Sequence, residues 1–152
     1  VYNLNCNHYN LDYVSGDKLN TAQIKELFRQ KGLKATPQRT AVYKFLVENR
    51  VHPDVETVYS QVIKSNPSFS KTTVYNCLKD LSGCGLLIPV MIDNEKIRYD
   101  ADTSFHGHFK CEKCGSIFDF KCVDSKTVGI EGFEIKQKDV YYSGLCNHCK
   151  NK

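Results

Sequence analysis

Apolar residues recur three and four positions apart between residues 20 and 81, and then give way to short extended runs. Ile24, Leu27 and Phe28 share one face of a first predicted helix, which Gly32 stops. Thr36-Pro37 predicts the next start, a hydroxyl cap followed by proline where a missing N–H costs little. Val42, Phe45 and Leu46 carry that helix's inner face. Asp54 is the cap of a third helix, in which Val55, Val58, Tyr59 and Val62 form a stripe ending before Asn66-Pro67. Ser70 caps a fourth, with Val74, Cys77, Leu78 and Leu81 inward and Lys71, Thr72, Tyr75, Asn76 and Lys79 mainly on the other side. Gly83-Cys84-Gly85 breaks it.

Residues 86–92 and 96–99, joined by Asp93-Asn94-Glu95, read as a hairpin. Helices followed by a hairpin describe a winged helix-turn-helix over residues 19–100. The character changes at a hinge spanning residues 101–104. Beyond it, in residues 105–152, short aromatic and β-branched segments at 105–110, 116–122, 133–136 and 140–144 predict strands of a small, mostly β unit. Such a unit is too small to be stable without a staple. The fold class is α+β. Residues 1–18, rich in Asn and Tyr and without sustained periodicity, are expected to form an extension.

Composition changes this picture little until the cysteines are considered. A chain of 152 residues, 41% hydrophobic and 25% charged, reads as a soluble globular protein. It has no apolar run long enough to span a bilayer and no charged-then-apolar leader, so a cytoplasmic location without membrane association is expected. A net charge of +4 permits nucleic-acid binding without arguing for it. Eight cysteines are many for this length. Cys6, Cys77, Cys84 and Cys122 stand alone, whereas the other four form two Cys-x-x-Cys pairs.

Cys111-Glu-Lys-Cys114 and Cys146-Asn-His-Cys149 each place two thiolates at a turn, with 31 residues between the pairs. Four thiolates at about 2.3 Å make a closed tetrahedral zinc site with no open position for chemistry. Binding there contributes on the order of 10 kcal/mol to folding. Two disulfides or a redox dithiol are the alternatives, and the second matched pair favours Zn2+. His148, inside the second pair, is read as a turn residue.

His106-Gly-His108 precedes Cys111, and in a strand the two imidazoles point to one face. Asp100 and Asp119 lie on the flanking strands, and His52 stands before Pro53 in the helical half. Together they make a mixed N/O set suited to Fe2+, Mn2+ or Zn2+. From the residues alone, a surface strand carrying two histidines is an equally open reading.

His52-Pro53, Thr73-Val74-Tyr75 with Leu78 and Leu81, Gly85-Leu86, Arg98-Tyr99-Asp100 and His106-x-His108-x-x-Cys111-x-x-Cys114-Gly115 resemble the ferric uptake regulator family in order and spacing. Thr36-Pro37-Gln38-Arg39 and Cys146-x-x-Cys149 extend the resemblance to about residues 19–150. The resemblance implies a homodimeric repressor on a palindromic double-stranded DNA operator, and no enzyme. It also implies a regulatory Fe2+ or Mn2+ on His52, Asp100, His106, His108 and Asp119. Asp119 and Phe105 resemble the peroxide-sensing branch, where iron sensors usually carry glutamate and histidine respectively. In that branch Fe2+ and peroxide would oxidise His52 or His106. For DNA, the fourth helix offers Ser70, Lys71, Thr72, Tyr75 and Asn76, while Arg39 resembles a family backbone contact and Lys96 is a wing candidate.

The chain departs from the family pattern at residues 121–131 (KCVDSKTVGIE), a short segment where a dimerisation helix is usual. An iron or zinc uptake regulator of the same family is one alternative. A non-haem iron enzyme and a zinc-ribbon module without DNA binding are others.

Overall fold

The structure, a computed structural model, describes residues 19–122 and 128–151. The expected extension with Cys6, and the middle of the 121–131 segment, lie outside the described residues. The chain divides into two compact units between Thr103 and Ser104.

Among the described residues, the first unit holds four helices: α1 (Thr21–Gln30), α2 (Pro37–Glu48), α3 (Val55–Val62) and α4 (Lys71–Gly83). Each begins where a side chain satisfies the exposed first-turn amides. Asn20 and Gln23 form a reciprocal capping box on α1. Thr36 Oγ1 accepts from Arg39 N at 3.3 Å, Asp54 Oδ1 from Thr57 N at 2.8 Å, and Ser70 Oγ from Thr73 N at 3.0 Å. Ile24, Phe28, Val42, Val58, Val74, Leu78 and Leu81 are wholly buried in one core. Truncating such a residue to alanine typically costs 2–5 kcal/mol for leucine or isoleucine. Tyr43 is also buried, its ring edge-on to Phe28 at 5.5 Å, whereas Phe45 of the expected inner face only packs against the core's side.

Strands β1 (Ile88–Asp93) and β2 (Lys96–Asp100) form the hairpin, antiparallel with Val90 opposite Arg98. On β2's other side the 52–54 segment runs alongside: Tyr99 N donates to Pro53 O at 3.1 Å, and Asp54 bridges Arg98. His52 adopts φ +47°, the left-handed region that histidine enters at a cost. This turn carries the chain from α2 onto β2 and starts α3.

The second unit is a three-stranded sheet of β3 (Gly107–Cys111), β4 (Ile117–Phe120) and β5 (Tyr141–Gly144), in the order β4-β3-β5. β3 pairs antiparallel with β4 and parallel with β5. A short helix α5 (Asn147–Lys150) follows. The strand expected at 133–136 does not form; Phe133 and Ile135 are exposed, and the place beside β3 is taken by β5.

Candidate metal centres

The two Cys-x-x-Cys turns meet at the end of β3. Cys111 closes the strand, and Gly115, at φ +71°, turns the chain so that its N–H donates to Cys111 O at 2.8 Å. Glu112 N donates to Gly144 O at 2.8 Å, which ties this turn to the one bearing Cys146. One donor atom from each of Cys111, Cys114, Cys146 and Cys149 lies within 4.8 Å of every other. Cys114 Sγ is 3.9 Å from Cys146 Sγ, close to the edge of about 3.8 Å expected of a tetrahedron with 2.3 Å bonds. None of these cysteines is in a disulfide. The cluster fits a structural zinc ion.

Its electrostatics are prepared for a cation. Burial raises the Cys111 thiol, but amide N–H groups of Cys114, Cys146 and Lys113 aimed at the sulfur outweigh it and bring the pKa down to about 6. The Cys146 N–H donor stands 3.3 Å from Cys111 Sγ. Cys114 is lowered as well, burial being outweighed by Ser116, whose hydroxyl lies 3.3 Å from the sulfur. Cys149 is pushed up to about 12, first by burial and then by the other three sulfurs. Burial, with three crowded sulfurs, thus keeps the fourth protonated until a cation compensates the charge.

The second group lies at the start of β3, where His106 immediately precedes the strand and His108 stands three residues before Cys111. His108 is the cross-strand partner of Asp119, so both side chains share one face. His106 Nε2 and His108 Nε2 approach to 3.0 Å, and Asp119 Oδ1 stands 3.6 Å and 3.8 Å from them. A point about 2.1 Å from all three atoms lies near their plane, and that is a metal–imidazole bond length. His106 Nδ1 faces the Ser104 carbonyl at 2.8 Å. A carbonyl accepts only, so Nδ1 carries the proton and Nε2 presents its lone pair. Gly107 between the histidines points the other way, against the Phe120 ring.

In the first unit, His52 Nε2 lies 3.4 Å from Asp100 Oδ2, both side chains being 2% exposed. Their juxtaposition follows from the 52–54 segment lying along β2. Each unit therefore presents its own N/O pair or triad.

The expected DNA-facing residues are placed as follows. Ser70, Lys71, Thr72, Tyr75 and Asn76 are exposed along the start of α4, with Tyr75 at 52%. Lys71 pairs with Glu56, and Lys96 Nζ with Asp54 Oδ2 at 3.0 Å. Arg39, partly buried, reaches Asp80 on α4. Sequence reasoning missed Ser104, Ser116 and Asp80. The first acts through its carbonyl and leaves no trace in residue type. Ser116 follows the Cys-x-x-Cys-Gly turn directly, which is a usable signal.

Residues 30–149 match the model of the ferric uptake regulator family. The peroxide operon regulator of Bacillus subtilis is 31% identical over 132 residues, covering 84% of this chain and 91% of its own length. The solved peroxide stress regulator of Campylobacter jejuni is similar at 29% identity and a TM-score of 0.61, covering 84% of this chain and 97% of that one. The fold is also that of the Helicobacter pylori ferric uptake regulator Fur, at 20% identity, a TM-score of 0.65 and coverage of 85% and 90%. Among the described residues no helix is long and apolar enough to cross a membrane.

Proposed function

Because this chain belongs to the ferric uptake regulator family, we propose that it is a DNA-binding repressor that senses hydrogen peroxide through Fe2+-driven oxidation of a ligand histidine. Family membership makes it a metal-dependent transcriptional regulator and not an enzyme. The finer reading has it act as a homodimer on a palindromic operator, with residues 19–100 binding DNA and residues 105–152 carrying dimerisation and zinc.

The observation that carries the reading is the convergence of His106 Nε2, His108 Nε2 and Asp119 Oδ1. Hard and borderline divalent ions such as Fe2+ and Mn2+ prefer such N/O donors, whereas the thiolates nearby suit Zn2+. In this reading His52 and Asp100 complete the set from the first unit. One ion shared by all five would select one mutual arrangement of the units, and hence one spacing of two α4 helices in a dimer. Without it, the operator-competent arrangement is only a fraction of the population, and apparent affinity falls by that fraction.

Bound Fe2+ would supply the reaction in which one peroxide oxygen is transferred to an imidazole carbon and the other leaves as water. His106 and His52 would be the rings oxidised; the Ser104 carbonyl orients the first and a buried turn beside Asp100 holds the second. An oxidised ring would donate less well, so His52 or His106 would no longer hold the shared ion. Support for peroxide over iron or zinc sensing comes from Asp119 and from the names of the Bacillus and Campylobacter relatives. On α4, Ser70, Lys71 and Thr72 would meet phosphate, and Tyr75 and Asn76 base edges.

The test is peptide mass analysis of protein loaded with Fe2+ or Mn2+ and treated with peroxide. A gain of one oxygen on the His52 or His106 peptide, in the Fe2+ sample alone, is expected. Modification confined to cysteines would overturn peroxide sensing and leave an iron or zinc regulator.

A further inference from the structure

Arg39 resembles a residue that contacts the DNA backbone in the family, yet here its guanidinium is engaged within its own unit. Arg39 Nε and Nη2 both donate to Asp80 Oδ2, at 3.1 Å and 2.6 Å, and Nη1 donates to Lys34 O at 2.9 Å. The hydrogen bonds therefore involve all three guanidinium nitrogens. We propose that Arg39 and Asp80 form a latch that fixes α4 on α2, which makes both of them positioning residues for operator recognition. This rests on the reading of α4 as the recognition helix.

Two physical arguments support the latch. The α2–α4 contact is otherwise apolar, through buried residues such as Val42, Leu46, Val74 and Leu78. Apolar packing sets the distance between helices and leaves a scatter of about 15–20° in crossing angle, within which a directional polar pair selects one. A fork from Arg39, in α2's first turn, to Asp80, the tenth residue of α4, sets the angle at which the first turn of α4 is presented. Asp80 also lies four residues after Asn76, on the same flank of α4. Asn76 is a base-edge candidate, so a tether at Asp80 acts on the flank of α4 that would read DNA.

The sign of one substitution separates this role from direct phosphate contact. If Arg39 reached phosphate, removing the Asp80 charge would release it and tighten binding. If the pair is a latch, the same change loosens α4 and weakens binding to the operator.

The experiment uses the full chain loaded with Zn2+ and Mn2+, and a palindromic duplex selected from random DNA by the wild-type protein. Affinities for that duplex and for an unselected duplex are read by anisotropy across a range of KCl concentrations. D80N and R39Q are each expected to weaken the selected duplex about fivefold. Unselected binding and the salt slope should stay as in wild type, and the double variant should lose no more than either single one. D80E, which keeps the carboxylate, should bind within about twofold of wild type. A D80N protein that binds as well as or better than wild type overturns the latch. So does an R39Q slope flattened by about 0.9, the loss of one phosphate contact. Should R39Q fail to fold, the D80N–D80E comparison decides alone. If wild type selects no duplex, the recognition-helix reading fails, and the latch with it; failure confined to the variants condemns the latch only.

Discussion

Gly107 and Phe120 stand opposite each other on β3 and β4, and the aromatic ring fills the space a β-carbon on residue 107 would need. The ring is itself stacked on Tyr142 of the strand on the other side, at 4.9 Å and 12°. The glycine between the two histidines is thus a packing requirement: it lets the ring close one face of the sheet while His106 and His108 serve the other.

Gly107→Ala should therefore damage the histidine site without touching a ligand. Overpacking of this kind costs roughly 1–3 kcal/mol, and the strand must shift to relieve it. The expected outcome is a lower melting temperature and weaker Mn2+ binding by calorimetry, with zinc stoichiometry unchanged. Unaltered Mn2+ affinity would mean that the ring can move aside freely.

Zinc affinity should rise with pH, and the thiols give the sign. Between about pH 6 and 8 Cys111 is already ionised, while Cys149, pushed up to about 12, must still surrender a proton when the ion binds. Apparent affinity should then climb by at least about tenfold per pH unit. Below pH 6 Cys111 must lose a proton too, so the dependence steepens. Chelator competition across pH 5.5–8 measures it, and a flat profile would contradict the four-thiolate site.

His52 offers a way to separate backbone from ligand. Its φ of +47° is disfavoured for residues with a β-carbon, and asparagine tolerates it better than most. His52→Asn should keep the helical unit's melting temperature within a few degrees, yet lose Mn2+-dependent operator binding. His52→Ala should lose both the binding and about 1 kcal/mol of stability. Equal stability of the two variants would remove the argument from strain.

Tyr75 and Val74 are adjacent on α4 and should fail in different ways. Tyr75 is half-exposed, so Tyr75→Ala should leave stability within about 0.5 kcal/mol and weaken operator binding. Val74 is wholly buried, so Val74→Ala should lower the melting temperature. Thermal melts and anisotropy on the same samples distinguish them.

Much of this was legible in the sequence because local chemistry decides it. Thr36, Asp54 and Ser70 cap the helices predicted for them, since a short oxygen-bearing side chain before an apolar stripe has few other uses. The paired cysteines likewise identified their own cluster. What could not be read depends on partners distant in the chain. Phe133-Glu-Ile135 alternates as a strand should, but β5 and not this segment takes the place beside β3. His52 and Asp100 meet only because Asp54 bridges Arg98, and no residue type announces that. The fork of Arg39 on Asp80 joins residues 41 positions apart, and neither residue type announces it.

In the proposed function a divalent ion on the histidine–carboxylate residues governs DNA binding, and operator affinity is the decisive readout. With zinc retained throughout, affinity for a duplex selected by the Mn2+-loaded protein is measured without added metal, with Mn2+ and with Fe2+, each before and after peroxide. Tight binding only with Mn2+ or Fe2+, lost to peroxide in the Fe2+ sample and kept with Mn2+, is expected. Equal affinity with and without either ion would contradict it.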